Sequence, residues 1–505
     1  MAINQLKAGA ALSYITLGLS NLVALLYTPY MLRMLGQSEF GLYSLVASVI
    51  AYLTILDFGF GNAIIRYTAK FRAEGKVEEQ YSMFGMFLIL YSIIGIVSFF
   101  AGLGLYYNVD LIFENGMTLA EIDKAKIMIL IMIFNLAITF PLSIFGSIIN
   151  AYEDFVFQKI ISIARIILNT IAMVIILEIG YKAIGMVVVT TVFNVLTLVV
   201  NYFYCKQKIK IKIYFRKFEW GFLKEVSVYS FFIFLNIIMD RIYWSSGQFI
   251  LGAYVGTAAV AVFALSISIH SMYMNFSTAI SGVFLPKVIS IVTKQNTEKE
   301  ISNLFIRTGR IQYSILSYIL IGFLIFGKSF IVLWAGNEYI ESYYISLLFL
   351  IPSTVSLTQN LGIVVLQARN QMKFRSILYI IISFFSLVIQ IPLVKYFGGF
   401  GAAFGVFIGL LLGQIIGMNI YYYKRQKIEI IQFWFQIYKM SVFPLIIGII
   451  GFVIFHIYNN NTLINLVSGI ILFSSIYLPV AWLYSLNDYE RSLYKSLFRI
   501  NINRI

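Results

Sequence analysis

The chain has little charge for its length. Of its 505 residues, 12% are charged and 60% are hydrophobic, and its mean hydropathy is +0.87. A soluble globular domain carries about 25% charged residues. Because the deficit extends over the whole length, the sequence excludes a soluble domain of useful size and indicates an integral membrane protein.

Cysteine and histidine are almost absent. The single cysteine, Cys205, excludes an intramolecular disulfide, and the two histidines, His270 and His456, are too far apart in sequence to indicate a metal cluster. Serine, histidine and carboxylate residues form no pattern typical of hydrolysis. The longest loops, under about 25 residues, are too short for a catalytic domain. The sequence therefore predicts no enzyme, no metal site and no bound cofactor.

Long apolar runs fill the rest of the chain. A helix needs about 20 apolar residues to cross the hydrocarbon core of a bilayer, and by that measure the sequence has about fourteen spans. The predicted spans are 8–33, 40–68, 82–107, 123–149, 156–179, 182–204, 226–253, 257–290, 305–335, 342–366, 375–397, 400–423, 435–457 and 463–485. The predicted fold class is an all-α integral membrane protein.

Positive charge is concentrated in alternate loops. Lys and Arg outnumber Asp and Glu by 37 to 22, a net charge of +15. The basic segments are 70–76, 206–217, 287–299, 369–375, 424–427 and the tail after 490. Since cytoplasmic loops carry the excess of Lys and Arg, we predict that both termini are cytoplasmic. The charge then reflects topology and attraction to phospholipid head groups, and we predict no nucleic-acid partner.

The second half of the chain repeats the first. Residues 35–45 (LGQSEFGLYSL) align with 255–265 (VGTAAVAVFAL), and two further matches keep the same order and nearly the same offset. These are 151–160 with 368–377, and 183–185 with 399–401. Duplicated bundles of membrane helices are the usual architecture of alternating-access transporters, which bind their substrate between the repeats.

The repeat predicts how the chain is divided. The predicted regions are an N-lobe of six helices (1–204), a basic cytoplasmic linker (205–222), a C-lobe of six helices (223–427), and two extra helices with a cytoplasmic tail (428–505). A cavity between the two lobes follows from this division.

Three ionisable residues lie deep in apolar runs. Of the 22 acidic residues, only Asp57 and Asp240 do so, and we identify Arg241 as the basic residue equally deep. An ionisable group at the bilayer centre costs about 2.5–3.5 kcal/mol on insertion scales. We therefore expect these three side chains to face a watery cavity or one another.

Further polar residues accompany them. We predict that the cavity is lined by Arg241, Asp240, Asn236, Asn21, Asn62, Arg66 and Lys287. Arg241 would attract phosphate, and Asp57 or Asp240 would carry a proton or a sodium ion. The alternative is an Asp–Arg pair that only fixes helix register, with Arg66 and Lys287 as snorkelling residues that set topology.

One motif is misleading. Residues 322–329 (GFLIFGKS) fit the phosphate-loop pattern G-x-x-x-x-G-K-S, which needs a strand before it and a helix after it. Here the motif closes an apolar span, so we predict no nucleotide binding.

Residues 40–44 (FGLYS), followed by 56–66 (LDFGFGNAIIR), resemble the signature of bacterial polysaccharide exporters. These are the Wzx-type O-antigen and capsule repeat-unit flippases of the multidrug/oligosaccharidyl-lipid/polysaccharide (MOP) superfamily. The resemblance implies that the chain translocates oligosaccharide units, linked to undecaprenyl pyrophosphate, across the bacterial cytoplasmic membrane. It also implies polysaccharide polymerase machinery as a partner. The family shares no fixed set of substrate residues, so the cavity residues above rest on burial alone.

Several alternatives stay open. A lipid II flippase of the same superfamily is the nearest in function, and a multidrug antiporter would more often have twelve spans. A polysaccharide polymerase or ligase would carry a larger external loop than 107–123. A twelve-helix facilitator-type transporter usually carries a G-x-x-x-D-R-x-G-R-like loop after its second span, and loop 68–76 does not fit that pattern. The energy source, an H+ or Na+ gradient or consumption of the product downstream, is also open.

Overall fold

The structure is a computed structural model that describes residues 5–215, 220–281, 284–293, 298–369, 371–457 and 462–499. These residues form helices and connecting turns, and none of the described segments is a β-strand. The fold class predicted from the apolar runs is confirmed.

The first helices follow the predicted spans closely, except that span 40–68 is divided between two helices and span 257–290 extends beyond the helix Thr257–Ser281 into the next one, Leu285–Thr293. They are α1 (Gln5–Leu35), α2 (Gln37–Leu53), α3 (Phe60–Ala73), α4 (Val77–Phe113), α5 (Leu119–Ala151), α6 (Phe155–Glu178), α7 (Lys182–Tyr204), α8 (Trp220–Tyr254) and α9 (Thr257–Ser281). The remaining helices are α10 (Leu285–Thr293), α11 (Glu298–Trp334), α12 (Glu341–Thr358), α13 (Asn360–Ala368), α14 (Lys373–Gly409), α15 (Met418–Lys424), α16 (Ile430–Ile457), α17 (Leu463–Val480) and α18 (Asp488–Arg499).

The protein is a multi-pass membrane protein. The described part of the chain has twelve helical segments long and apolar enough to cross a membrane, or thirteen if the two parts of α8, which meet at 51°, count as one span. The predicted number of fourteen stays a prediction.

The chain turns sharply inside α14. Gly398 has a non-helical backbone (φ 52°, ψ −130°). A Cβ built on Gly401 would lie 2.0 Å from the carbonyl oxygen of Leu393. Eight residues of straight helix would separate these positions by about 12 Å, since the rise is about 1.5 Å per residue. The chain therefore folds back near Gly398, between the predicted spans 375–397 and 400–423.

Contacts divide the chain into two compact units. Unit 1 comprises Met1–Ala264 and Tyr379–Ala402, and unit 2 comprises Leu265–Leu378 and Ala403–Ile505. The lobes, linker and extra helices predicted from the sequence stay a prediction.

Small residues bring helices of unit 1 close together. A Cβ on Gly95 of α4 would lie 2.7 Å from the carbonyl oxygen of Ala137 in α5, and one on Gly102 would lie 2.5 Å from Ile133. Membrane helices associate through such close contacts, because lipid gives no hydrophobic drive between them.

Unit 2 has an aromatic core between α11 and α17. Its buried residues are Ile321, Phe326, Leu466, Phe473 and Tyr477. Tyr477 also forms a 3.0 Å hydrogen bond with the Ser317 hydroxyl. The first of the two helices that the sequence places outside the repeat, α16, and the second, α17, both pack against α11.

A buried ion pair fixes α18 to α11. Arg310 donates from Nε and Nη2 to the two carboxylate oxygens of Glu490, at 2.6 and 3.0 Å. The two side chains are 7% and 1% exposed. Arg310 also donates to the carbonyl oxygen of Ser485 at 3.1 Å and to Gln436 Oε1 at 3.2 Å. A two-pronged pair of this kind is both strong and specific in geometry.

We expect Glu490→Gln to destabilise the protein by roughly 3 kcal/mol or more, because it leaves the buried Arg310 without its counter-charge. The measurement is the unfolding temperature of the purified chain in detergent. Asp488→Asn is the matched control, since it removes the same charge from the same helix at a fully exposed position. Equal losses in the two variants would contradict the role of the buried pair.

Candidate functional site

The second predicted span is broken near its middle. α2 continues into a 3₁₀ turn over Thr54–Asp57, and α3 begins only at Phe60. Between them, Phe58 and Gly59 have left-handed backbones, with φ of 52° and 74°. Glycine adopts this conformation readily, whereas phenylalanine does so at a cost. The sequence predicts a continuous helix here, and the structure replaces it with two.

Asp57 lies at this break. Its Oδ1 accepts a 2.8 Å hydrogen bond from the Tyr91 hydroxyl, and its carboxylate also accepts from the backbone N–H of Gly59. Tyr91 is fully buried in α4. The carboxylate stands at the N-terminus of α3, where the helix dipole favours negative charge. Asp57 therefore satisfies backbone and side-chain donors that the break creates.

α8 packs against the same break. The rings of Phe58 and Phe234 are 4.9 Å apart, and a Cβ on Gly59 would lie 2.7 Å from Ile233 Cγ2. The 51° bend of α8 falls between Val228 and Ile233. Two bent helices thus meet at their bends, within unit 1.

Past the break, α3 runs towards the basic loop 70–76 alongside the start of α8. Tyr67 donates a 3.0 Å hydrogen bond to Glu225 Oε1, and its ring meets Phe222 edge-on at 5.0 Å. A cavity of about 180 Å³ lies nearby, lined by Phe71, Lys76, Glu79, Ser82, Met83, Met86 and Phe222.

At the other end of α2, its first turn touches the first turn of α9. A Cβ on Gly41 would lie 1.8 Å from the carbonyl oxygen of Thr257. Ser38 and Thr257 both donate to Glu121 Oε1, at 2.5 and 2.6 Å. Residues 37 and 257, which begin the two helices, are repeat equivalents because residue 35 aligns with 255. The two segments that the sequence aligns as a repeat therefore meet here at their first turns.

Glycines surround this contact. A Cβ on Gly116 would lie 2.2 Å from the carbonyl oxygen of Gly252, and one on Gly256 would lie 2.8 Å from that of Gly116. We call Ser38, Gly41, Gly116, Glu121, Gly252, Gly256 and Thr257 the glycine closure. It consists of backbone contacts and hydrogen bonds, with few large side chains.

Glu121 is held by a capping box at the start of α5. Its Oε2 accepts from the backbone N–H of Thr118 at 2.9 Å, and its own N–H donates to the Thr118 hydroxyl. This arrangement leaves Oε1 for Ser38 and Thr257. Beside it, Glu39 forms an ion pair with Lys124 and accepts from the backbone N–H of Ala183 at 3.3 Å. The closure is therefore anchored to α5 and α7.

The predicted cavity residues occupy varied environments. Asn21, Asn236 and Arg241 are half-buried, and Asn62, Arg66 and Asp240 are exposed. Lys287 lies in α10, but its side chain is outside the described residues. The Nε of Arg241 is buried and has no hydrogen-bond partner within the described part of the chain. That these residues line one cavity stays a prediction.

The polar face of α8 that the residue spacing predicts is only partly open in the structure. The spacing places Asn236, Asp240, Tyr243 and Gly247 on one face. Tyr243 is only 7% exposed, and a Cβ on Gly247 would lie 2.5 Å from the Phe263 ring. The second half of this face is therefore packed inside unit 1, and only the first half is open.

Sequence reasoning misses two charged residues of this unit. Arg165 is the eleventh of the 24 residues of α6 and is half-buried, so the expectation that Arg241 is the one equally deep basic residue is wrong. The predicted span 156–179 already contains it. Glu121 falls between the predicted spans 82–107 and 123–149 and is not among the predicted site residues, although the sequence T-x-x-E at Thr118 is typical of a capping box.

Comparison with known proteins identifies the architecture. The model of a family described as "Polysaccharide biosynthesis protein" matches residues 6–292. A search of the curated proteins finds no match.

Three solved structures share the fold. The lipid II flippase MurJ in an inward closed conformation has a TM-score of 0.68 at 17% identity, over 93% of this chain and 98% of that one. An inward-facing multidrug resistance MATE family transporter of the MOP superfamily has a TM-score of 0.65 at 15% identity, over 83% of this chain and 95% of that one. A MOP superfamily transporter from Pyrococcus furiosus has a TM-score of 0.59 at 15% identity, over 85% of this chain and 96% of that one. The resemblance read from residues 40–66 is confirmed at the level of family and fold.

We expect the paired variant Ser38→Cys/Thr257→Cys to form a disulfide on oxidation, because the two hydroxyl oxygens are 3.2 Å apart. The measurement is loss of maleimide labelling at both positions, in a chain whose own Cys205 is fully buried. Transport should stop on oxidation and return on reduction. Each single variant is the control and should keep its label. If both cysteines of the pair stay labelled, the closure described here does not form in the membrane.

Proposed function

This chain belongs to the polysaccharide biosynthesis protein family, and we propose that it is a flippase for lipid-linked oligosaccharides. Its substrate is an oligosaccharide repeat unit on undecaprenyl pyrophosphate, destined for a surface polysaccharide such as O-antigen, capsule or exopolysaccharide. It works by alternating access in the bacterial cytoplasmic membrane, with both termini in the cytoplasm.

The chemistry of such a substrate defines the task. Sugars and phosphates are strongly hydrated, and burying polar and charged groups in hydrocarbon without partners is costly. The polyprenyl tail is apolar and already dissolves in the bilayer. The protein therefore needs a polar path for the head group only, while the tail stays in lipid.

The glycine closure is the observation that carries the proposal. It joins equivalent turns of the two repeat halves through Glu121 and a few backbone contacts. Water can replace the protein as hydrogen-bond partner of these hydroxyl and carboxylate groups, so separating them costs only the net contribution of each bond, about 1.5–3 kcal/mol for a bond to a charged group. A contact of this sort separates readily, as one gate of an alternating-access cycle must.

The two bent helices supply the movement. Phe58 and Gly59 already interrupt α2 and α3, and α8 bends where it packs against them. Hinges in proteins are a few residues that absorb a change in φ and ψ. In this mechanism Asp57 holds the hinge, and the ends of the helices on either side of it move.

Arg241 is the residue we propose for the pyrophosphate. Its Nε is buried and without a hydrogen-bond partner within the described part of the chain. A guanidinium presents donors in a planar fork that matches phosphate oxygens. Asp240, Asn236, Asn21, Asn62, Arg66 and Lys287 complete the proposed polar path.

A lipid II flippase is the second candidate. The fold of the lipid II flippase MurJ covers 93% of this chain. The two substrates share a polyprenyl tail and a sugar-bearing phosphate head, so both fit the same physical argument. A multidrug antiporter has the same fold but needs no path for a polyprenyl-linked head group.

Complementation separates these candidates. In a strain that lacks its own repeat-unit flippase, we expect this chain to restore surface polysaccharide. The measurement is polysaccharide at the cell surface, with a strain depleted of its lipid II flippase tested in parallel. Rescue of peptidoglycan synthesis alone would replace our proposal with the second candidate, and rescue of neither would refute both.

We expect Arg241→Ala to abolish export while protein levels in the membrane stay normal, because the substrate loses its charged partner. Arg241→Lys should retain only part of the export activity, since lysine keeps the charge but lacks the planar guanidinium that can bind phosphate with two donors. Arg307→Ala is the control, because Arg307 is an exposed arginine stacked over Tyr489 at 5.0 Å. Export by Arg241→Ala at the unmodified rate would assign Arg241 a structural role or none.

A further inference from the structure

Unit 2 has a broken helix of its own. α12 ends at Thr358 and α13 begins at Asn360, with Gln359 between them. Gln359 and Asn419 exchange side-chain hydrogen bonds of 2.9 and 3.2 Å. Trp434 Nε1 donates to the same Asn419 Oδ1 at 2.8 Å. Polar side chains thus surround this break, although it lies among apolar helices.

Ser277 of α9 connects the break to α11. Its hydroxyl donates to the carbonyl oxygen of Leu357 at 2.8 Å and accepts from Gln312 Nε2 at 3.0 Å and Asn360 Nδ2 at 2.9 Å. Ser277 and Gln312 are both completely buried. The cluster is uncharged, because its members are hydroxyls, side-chain amides and backbone carbonyls.

Two buried oxygens on α11 have no hydrogen-bond partner within the described part of the chain. They are Gln312 Oε1 and Thr308 Oγ1, and both residues are 0% exposed. The orientation of the Gln312 amide follows from its other contact, since Nε2 donates to the carbonyl oxygen of Ser277 at 3.2 Å and Oε1 must point elsewhere. Residues 308 and 312 are one turn apart on the same face of α11. Buried polar atoms without partners are uncommon and each one calls for an explanation.

The end of α12 lies directly against this face. A Cβ on Gly309 would be 2.7 Å from the carbonyl oxygen of Thr358 and 2.4 Å from the Phe433 ring. Gly309 thus allows the backbone of α11 to reach the C-terminal end of α12. The carbonyls at a helix C-terminus carry partial negative charge. In transporters, the ends of broken helices coordinate small cations in this way.

We propose that this cluster is an alkali-cation site, with Gln312 Oε1, Thr308 Oγ1 and the carbonyl oxygen of Thr358 among the ligands. Oxygen is the ligand that hard cations prefer. A divalent ion would need carboxylates to offset its charge in a buried site, and the cluster has none. A monovalent ion needs only the dipoles present, and Na+ is the probe we choose.

This site changes where the coupling ion is expected. The sequence assigns a proton or a sodium ion to Asp57 or Asp240. Asp57 instead satisfies donors at the break between α2 and α3, whereas the cluster around Gln312 offers acceptors that are not used. The inference rests on the proposed function for its role in transport, but the binding of Na+ does not depend on it.

The test is the unfolding temperature of the purified full chain in detergent. Na+ is titrated against choline at constant ionic strength. We expect a saturable rise in the unfolding temperature, because a ligand that binds only the folded state stabilises it. Thr308→Val, which keeps the shape and removes the hydroxyl, should weaken Na+ affinity by about tenfold, the change that follows from losing about 1.4 kcal/mol of binding. Gln312→Glu should tighten it, since a carboxylate adds a full charge.

Gln390→Leu is the matched control. Gln390 is also a fully buried amide in a membrane helix, but its Nε2 donates to Ser386 at 3.2 Å and its Oε1 accepts from Ser246 at 3.3 Å. It should keep the response to Na+. No response to Na+ in the unmodified chain, or an unchanged response in both Thr308→Val and Gln312→Glu, would overturn the proposal and assign the two oxygens to buried water.

The outcomes are independent of transport. Failure to restore polysaccharide with an intact response to Na+ refutes the flippase and leaves the ion site. Export without any response to Na+ refutes the ion site and leaves the flippase.

Discussion

The bilayer leaves no water to satisfy backbone hydrogen bonds, and this constraint determines the rest of the structure. A spanning segment must be a helix unless the surrounding protein replaces the bonds that a break removes. The breaks in the described chain meet this condition with different groups. Asp57 accepts from the Tyr91 hydroxyl and from the backbone N–H of Gly59 where α2 gives way to α3. Where α12 gives way to α13, Ser277 accepts from Asn360 and donates to the carbonyl oxygen of Leu357. Polar side chains therefore surround both of these breaks.

Close contact between backbones is the second principle of the fold. Gly41, Gly116 and Gly252 bring main-chain atoms within reach of one another, and Gly309 does the same for α11 and α12. Contacts of this kind bury little side chain and depend on shape, so they hold helices firmly in one arrangement and release them at low cost in another. In the transport cycle that we propose, Gly41, Gly116 and Gly252 of the glycine closure are the ones that separate.

The fold class and the family can be predicted from the sequence, because long apolar runs and a short motif are visible without any knowledge of which side chains are in contact. The apolar runs predict the all-helical membrane fold, and the signature at 40–66 predicts the family; both predictions are confirmed. The site residues are harder to predict, because the position of a residue along a helix does not show which neighbours its side chain faces. Asp240 lies in the interior of α8 but is exposed, and Tyr243, on the same predicted face, is buried. Thr308 and Gln312 carry no charge and give no signal in a sequence, since their importance comes only from neighbours far along the chain.

The Arg310–Glu490 pair has a consequence for how the protein is made. The two residues are separated by 180 positions in the chain. At a synthesis rate of about 5–20 residues per second, the guanidinium waits roughly 10–35 s for its carboxylate. During that interval Arg310 lacks its counter-charge, so the packing around α11 is completed only after α18 has been synthesised. Synthesis that stops before α18 therefore leaves the buried Arg310 without its counter-charge, in an unfinished bundle.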